Sequence, residues 1–432
     1  MTTVTPPAPA PAAEPLVQAQ GLRLRDWKTP IALGVFAILS IVLFIGFGRD
    51  GDSTFSFAAN QTDVLKLPTI AIPSRGFGIF ASIVAVLMAA WSVFYVRSRR
   101  KTPRWYIAIY AFILLIAFLA WATVGHTLPI TGLLAGSLAL SVPLIFGALG
   151  GVISERSGVV NIAIEGQLLA GAFVSAVVAS TTHSVIAGLV AAMVAGTLVS
   201  FVLAAFSIKY FVDQVIVGVV LNVLVLGLTN FLYSTSLTQD AAKLNSPAQL
   251  PTIAIPGLSA IPVIGPVLFN QTIIVYLMYI AVAAVFYGLF FTRWGLRLRA
   301  VGEHPQAADT VGINVNSTRF WNVSLAGAIV GLGGAYFTLG SVGAFTEDVT
   351  SGAGYIALAA VIFGRWNPIR ATLAALLFGF ASDLQSVLGI LGSPVPSDFL
   401  LMLPYVVTII AVAGLVGQSR GPAASGKPYF KS

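Results

Sequence analysis

Twelve mostly apolar stretches, most of them about as long as a bilayer is thick, dominate this sequence. They run at about 30–48, 77–96, 105–124, 130–150, 161–180, 184–208, 214–233, 271–291, 320–340, 353–364, 371–391 and 399–417. A helix that crosses the hydrocarbon core needs about 20 such residues. In lipid a backbone must satisfy its own hydrogen bonds, which favours helices. The run IALGVFAILSIVLFIGFG (31–48) lacks the polar/apolar alternation of a membrane barrel strand. The expected fold is therefore an all-α polytopic membrane protein with about 12 transmembrane helices, the tenth stretch being short for a crossing. Composition agrees: 57% of residues are apolar and 9% charged, against about 25% charged in a soluble domain.

The basic residues test the span count. With the N-terminus in the cytoplasm, all Lys and Arg except Arg49, Lys66, Arg75 and Lys243 fall on the inner side. That separation obeys the positive-inside rule and places both termini in the cytoplasm. It also accounts for the net charge of +8 without a nucleic-acid partner. The first 20 residues, rich in Pro and Ala, are expected to be a disordered tail. They lack the basic start of a signal peptide, so the first span reads as a retained anchor.

Several chemistries are excluded outright. There is no cysteine, and His126, His183 and His304 have no ligand spacing, so no metal site is expected. The segment GPAASGKP (421–428) approximates a phosphate-binding loop, but Pro428 stands where a magnesium-holding Ser or Thr belongs. Nothing resembles a nucleophile–base constellation, and the chain is not expected to be an enzyme. If ATP drives it, another chain hydrolyses the ATP.

Polar residues inside spans are costly and therefore informative. Glu165 stands one turn into the fifth span near Asn161 and Gln167, Asn222 lies within the seventh, and Asp383 lies mid-way along the eleventh. These five either line a translocation path or fix the bundle by interhelical hydrogen bonds; Glu165 also suits helix capping. Two Gly-flanked segments, GVVNIAIEG (158–166) and GAGYIALAAVIFG (352–364), read as interrupted helices. They enter from opposite sides of the membrane, as an inverted repeat would, with solute near the repeat interface. Between them, Arg293, Arg297 and Arg299 introduce a cytoplasmic loop in which Pro305 starts and Gly312 ends a short helix. Ala307, Ala308 and Val311 are expected to form one apolar face there, offering a knob to a soluble partner or serving as a plain connector.

Four motifs in order, GVISERSGVVNIAIEGQLLAGAF (151–173), DQVIVGVVLN (213–222), GLRLRAVGEHPQAADTVGIN (295–314) and IALAAVIFGRWNP (356–368), resemble permease subunits of bacterial ABC importers. The likeness is to the branched-chain amino acid/ribose/nucleoside permease superfamily, and within it to nucleoside (purine, simple-sugar) permeases. The resemblance implies a permease core at 128–417; the sequence departs from the family in the extension with three transmembrane helices (30–127) that follows the tail (1–29), and a cytoplasmic tail (418–432) ends it. It implies a bacterial plasma-membrane protein working with two ABC ATPases, a second, related permease and an extracytoplasmic substrate-binding lipoprotein. This chain would then bind no cofactor, and the partner subunits would use the ATP. Gly302, Glu303, His304, Pro305, Ala307, Ala308, Asp309 and Gly312 would form the helix that couples to an ATPase. The scarcity of intramembrane charge points to a neutral solute such as a nucleoside. Simple sugars, branched-chain amino acids, or a proton-coupled transporter using Glu165 or Asp383 remain the alternatives.

Overall fold

The computed structural model describes residues 27–58, 67–98, 102–410 and 421–431. The expected tail at 1–29 lies almost wholly outside the described residues, as do Arg99, Arg100, Lys101 and the second half of the expected twelfth span. The chain forms two compact units, Met1–Ser53 with Ile72–Gly125, and Thr54–Ala71 with His126–Ser432.

The first unit holds α1 (Lys28–Ile41, prolonged by a wider turn to Gly46), α2 (Ser74–Arg97) and α3 (Arg104–Ala122). Leu33, Ala37, Ala85, Ala89, Tyr106 and Tyr110 pack between them. The buried tyrosine hydroxyls need acceptors in an apolar setting. Tyr110 donates to the Leu33 carbonyl (2.7 Å) and Tyr106 to that of Met88 (2.6 Å), so each ring also ties two helices together. Outward positions are apolar, with Ile38, Leu87 and Phe112 each more than 60% exposed. That is the inverse of a soluble helix and matches a lipid-facing surface.

The second unit runs α4 (Ile130–Arg156), α5 (Ile164–Thr182), α6 (Val185–Ala204) and α7 (Gln214–Leu232), then a stretch with α8 (Ala241–Leu244) and α9 (Ile264–Leu268). In that stretch the short strands Thr252–Ala254 and Asn270–Thr272 pair antiparallel. There follow α10 (Ile273–Phe291), α11 (Arg293–Glu303), α12 (Pro305–Thr310), α13 (Val315–Ala335, prolonged to Val342), α14 (Ala353–Phe363), α15 (Pro368–Ile390) and α16 (Ser397–Ile410). Asp213, Asn314 and Asn367 cap the starts of α7, α13 and α15 with their side-chain oxygens.

Among the described residues, ten helices are long and apolar enough to cross a membrane, and the protein is a helical, multi-pass membrane protein. Each coincides with one of the expected stretches. The tenth stretch differs: α14 has 11 residues, about 16 Å of helix against a hydrocarbon core of about 30 Å. An irregular segment leads into it because Gly343, Asp348, Ser351 and Gly352 all have positive φ, which no helix tolerates.

The main helix pairings recur when α4, α5 and α6 are exchanged for α13, α14 and α15. α6 lies along α13 as α15 lies along α4, and α5 packs on α13 as α14 packs on α4. Both long seams are glycine-lined. A Cβ on Gly196 or Gly327 would strike the facing backbone, and one on Gly379 would strike Ser141. In lipid, where apolar side chains gain little by meeting one another, this close approach supplies the association energy.

Gly327→Leu is therefore expected to force α6 and α13 apart and lower stability by about 1–3 kcal/mol or more. Gly227→Leu, where a Cβ meets nothing within 4 Å, is expected to leave stability unchanged. Thermal unfolding of the two purified variants in detergent checks the pair.

Candidate functional site

The main-chain break between α4 and α5 leaves peptide groups without helical partners, and the protein supplies them individually. Ser154 Oγ donates to the Val159 carbonyl (2.8 Å), and Gln214 Oε1 accepts from Val160 N (2.7 Å). From the middle of α7, Asn222 donates to the Ile162 carbonyl (2.9 Å) and accepts from Gly166 N (2.8 Å). Asn161 and Gln167, both fully buried, exchange two amide hydrogen bonds (3.1 and 3.2 Å), and Gln167 donates a further one to Ser200 of α6 (2.9 Å).

Glu165, in the first turn of α5, serves a different helix. Its carboxylate accepts from Thr350 Oγ1 (2.6 Å), Gly352 N (2.9 Å) and Gly354 N (2.6 Å), and so caps α14 from outside. Gly354 has to be glycine, because a Cβ there would overlap the Glu165 backbone. The N-termini of α5 and α14 thus meet at one carboxylate, with Asn222 reaching the Tyr355 hydroxyl beside it (3.2 Å). Each helix N-terminus carries about half a positive charge, so the single negative charge of Glu165 balances the two.

Of the five polar residues expected on a path, the structure brings Asn161, Glu165, Gln167 and Asn222 together around the start of α5. Asp383 stands apart on the α4–α15 seam, against Gly136, and its Oδ2 is buried without a partner among the described residues.

The α11–α12 loop is the second element. α11 and α12 meet at His304, with Pro305 opening α12 and Gly312 ending it at φ +85°. Gly302 lies against the Arg156 carbonyl at the end of α4. The expected apolar face of α12 divides. Ala308 is 3% exposed and packs on Val301, Val315 and Tyr429, whereas Ala307 and Val311 point outward. Leu296, Arg299, His304, Ala307 and Val311 line an open groove of about 330 Å³ between the two helices. Burial, and then a hydrogen bond to Asp309, push the Tyr429 hydroxyl above its ordinary range.

Two long-range contacts here have no local sequence signal. Trp366 donates its indole N–H to Glu155 (2.5 Å) and accepts from Arg156 Nε at its carbonyl (3.0 Å). Arg319, 2% exposed, donates to the Lys427 carbonyl (2.9 Å). The charges of Glu155, Arg156 and Arg319 in otherwise apolar surroundings were the available hint; their partners depend on tertiary packing.

Residues 133–412 match the family of branched-chain amino acid transport system / permease components. The chain belongs to that family. It is 42% identical over 305 residues to the guanosine ABC transporter permease protein NupQ of Bacillus subtilis, covering 68% of this chain and 95% of that protein. It is 42% identical over 310 residues to the nucleoside ABC transporter permease protein NupC of Lactococcus lactis, covering 69% and 97%. Identity to the putative glucose ABC transporter permease protein TsgC13 of Haloferax volcanii is 34% over 254 residues, covering 59% and 77%. No solved structure matches significantly. The family match begins in α4, so this permease carries both interrupted helices and the α11–α12 loop inside the shared region, with α1–α3 outside it.

The junction yields a stability prediction. Glu165→Ala leaves three buried donors without an acceptor, and a loss of about 3 kcal/mol or more is expected. Glu165→Gln retains one acceptor oxygen and is expected to lose less. The unfolding midpoints of the two variants in detergent, compared with the parent, check the order.

Proposed function

We propose that this chain is the permease subunit of an ATP-driven importer for nucleosides in a bacterial plasma membrane. The observation that carries the reading is its 42% identity, over nearly their full length, to permeases named for guanosine and for nucleosides. The junction supports it physically. The two helix N-termini that converge on it are neutralised by Glu165, so no fixed positive charge waits for an anionic solute. A neutral, hydrogen-bonding molecule suits such a site. Both Glu165 oxygens are held by donors, which fits a cap rather than a proton relay.

The chain crosses the bilayer twelve times in this reading, counting α14 with its irregular lead-in and the span that begins in α16, and both termini are cytoplasmic. The exchange of α4–α6 for α13–α15 is that of an inverted repeat. Asn161, Glu165, Gln167 and Asn222 hold the repeat interface, beside which solute passes, and Asp383 marks the second seam. The cytoplasmic loop Gly302–Gly312 seats in the ATPase: Glu303, His304, Pro305 and Ala307 present the contact surface, while Ala308 and Asp309 secure the loop from behind. The partners are two ATPases that use the ATP, a second permease and an extracytoplasmic binding lipoprotein. This chain holds no cofactor of its own.

Uptake of labelled guanosine into vesicles bearing the whole importer is expected to require ATP and to be competed by nucleosides, not by glucose or leucine. Uptake that persists without ATP overturns the reading. Val311→Asp, at a 75% exposed position, is expected to reduce ATPase co-purification by about tenfold at unchanged membrane abundance, the loss of an apolar anchor that docking would desolvate being worth about 1.4 kcal/mol. Ala308→Asp instead buries a charge against Val301 and Val315 and is expected to lower abundance itself.

A further inference from the structure

The segment Gly421–Lys431 has the Gly, Pro, Ser and Lys content of a free tail, yet contacts to the rest of the fold recur along it. Gly421 lies against the Trp366 ring. Ala423 N donates to Glu303 Oε2 (3.2 Å) and Ala424 N to the Gly302 carbonyl (2.9 Å). The Lys427 carbonyl receives Arg319 Nη1, and Nε and Nη2 of that arginine are buried without partners among the described residues. Tyr429 inserts its ring among Val301, Ala308 and Val315 and directs its hydroxyl to Asp309. Phe430 packs on Phe211, with ring centroids 4.5 Å apart.

These contacts connect particular elements. Glu303 ends α11 and Asp309 lies in α12; Arg319 is in the first turns of α13; Trp366 is bonded to the end of α4. Gly426 lies near Val160, whose N–H is held by Gln214, two residues before the Ile162 carbonyl held by Asn222. A helix of six residues has little stability of its own, and α12 owes its position to the ring of Tyr429 behind Ala308. The segment therefore joins the α11–α12 loop to the main-chain break that leads into α5.

We propose that Gly421–Lys431 is a strap that makes the α11–α12 loop, the start of α13 and the Gly158–Ala163 break move as one body, with Tyr429 and Arg319 as its positioning residues. Resting on the importer reading, it says how displacement of a docked ATPase reaches the junction: through the strap, rather than through the flexible ends of α12. Without the strap, α12 still presents Ala307 and Val311 to the ATPase, but its motion is absorbed locally.

The test uses the complete importer in proteoliposomes and reads solute imported per ATP hydrolysed, together with membrane abundance and ATPase co-purification. The variants are Tyr429→Phe, which keeps the ring and loses the hydrogen bond to Asp309, and a chain ended after Arg420. ATPase retention is expected in both. Solute per ATP is expected to fall roughly fivefold in Tyr429→Phe, the scale of one ordinary hydrogen bond, and by on the order of tenfold or more in the shortened chain. A ratio unchanged in both, or a loss of abundance at constant ratio, overturns the strap. If the shortened chain does not reach the membrane, Tyr429→Phe alone decides. A parent complex that holds no ATPase overturns the importer reading and the strap with it, whereas an ATP-dependent parent with indifferent variants overturns the strap alone.

Discussion

A helix broken inside a membrane exposes peptide groups to a medium that cannot solvate them, and the core of this permease follows from how it meets that requirement. Glu165 satisfies the start of α14, Asn222 the start of α5, and Gln214 the main chain between α4 and α5. Glu165 belongs to α5, and Asn222 and Gln214 to α7, so the caps also specify which helices are neighbours. Because the Glu165 carboxylate lies between two helix starts, moving either helix changes the electrostatic environment of the other. The junction is thus held in position from several helices and poor in net charge.

The glycine seams make that junction reachable. α5 and α14 approach because α6 and α15 are drawn tightly onto α13 and α4, through Gly196 and Gly327 on one side and Gly379 on the other. Larger residues at these crossings would separate the outer helices and pull Ser200 away from Gln167. Seam and junction are therefore one packing problem, and the polar knot of Asn161, Gln167 and Ser200 is where they are joined.

Much of the fold was legible in the sequence because lipid imposes a simple demand on length and polarity. Ten of the apolar stretches are helices long enough to cross, and the glycines around 352–364 foretold the short, interrupted α14. The role of Glu165 was half legible: its position in a first turn suggested capping, but the N-cap residue it holds, Gly352, stands 187 residues later, which no local pattern records. The face of Ala308 was misread for a related reason. Helical spacing placed it with Ala307 and Val311, while its burial is decided by Tyr429, in a segment whose composition carries no folding signal. Asn222 looked like a path residue by its depth alone, and the backbone atoms it serves became visible only with the break in place.

The two halves are not equivalent, and the difference is chemical. Gly196 and Ser200 on α6 occupy the seam as Gly379 and Asp383 do on α15, each pair four residues apart. Ser200 is engaged by Gln167 and so belongs to the junction. Asp383 faces Gly136 and has an oxygen with no partner among the described residues, so its seam is the one that holds an unmet polar group. A buried, incompletely bonded carboxyl group weakens the packing it sits in. The polar group of the α6–α13 seam is thus tied to the junction, whereas the α4–α15 seam carries a carboxylate oxygen that no donor holds among the described residues.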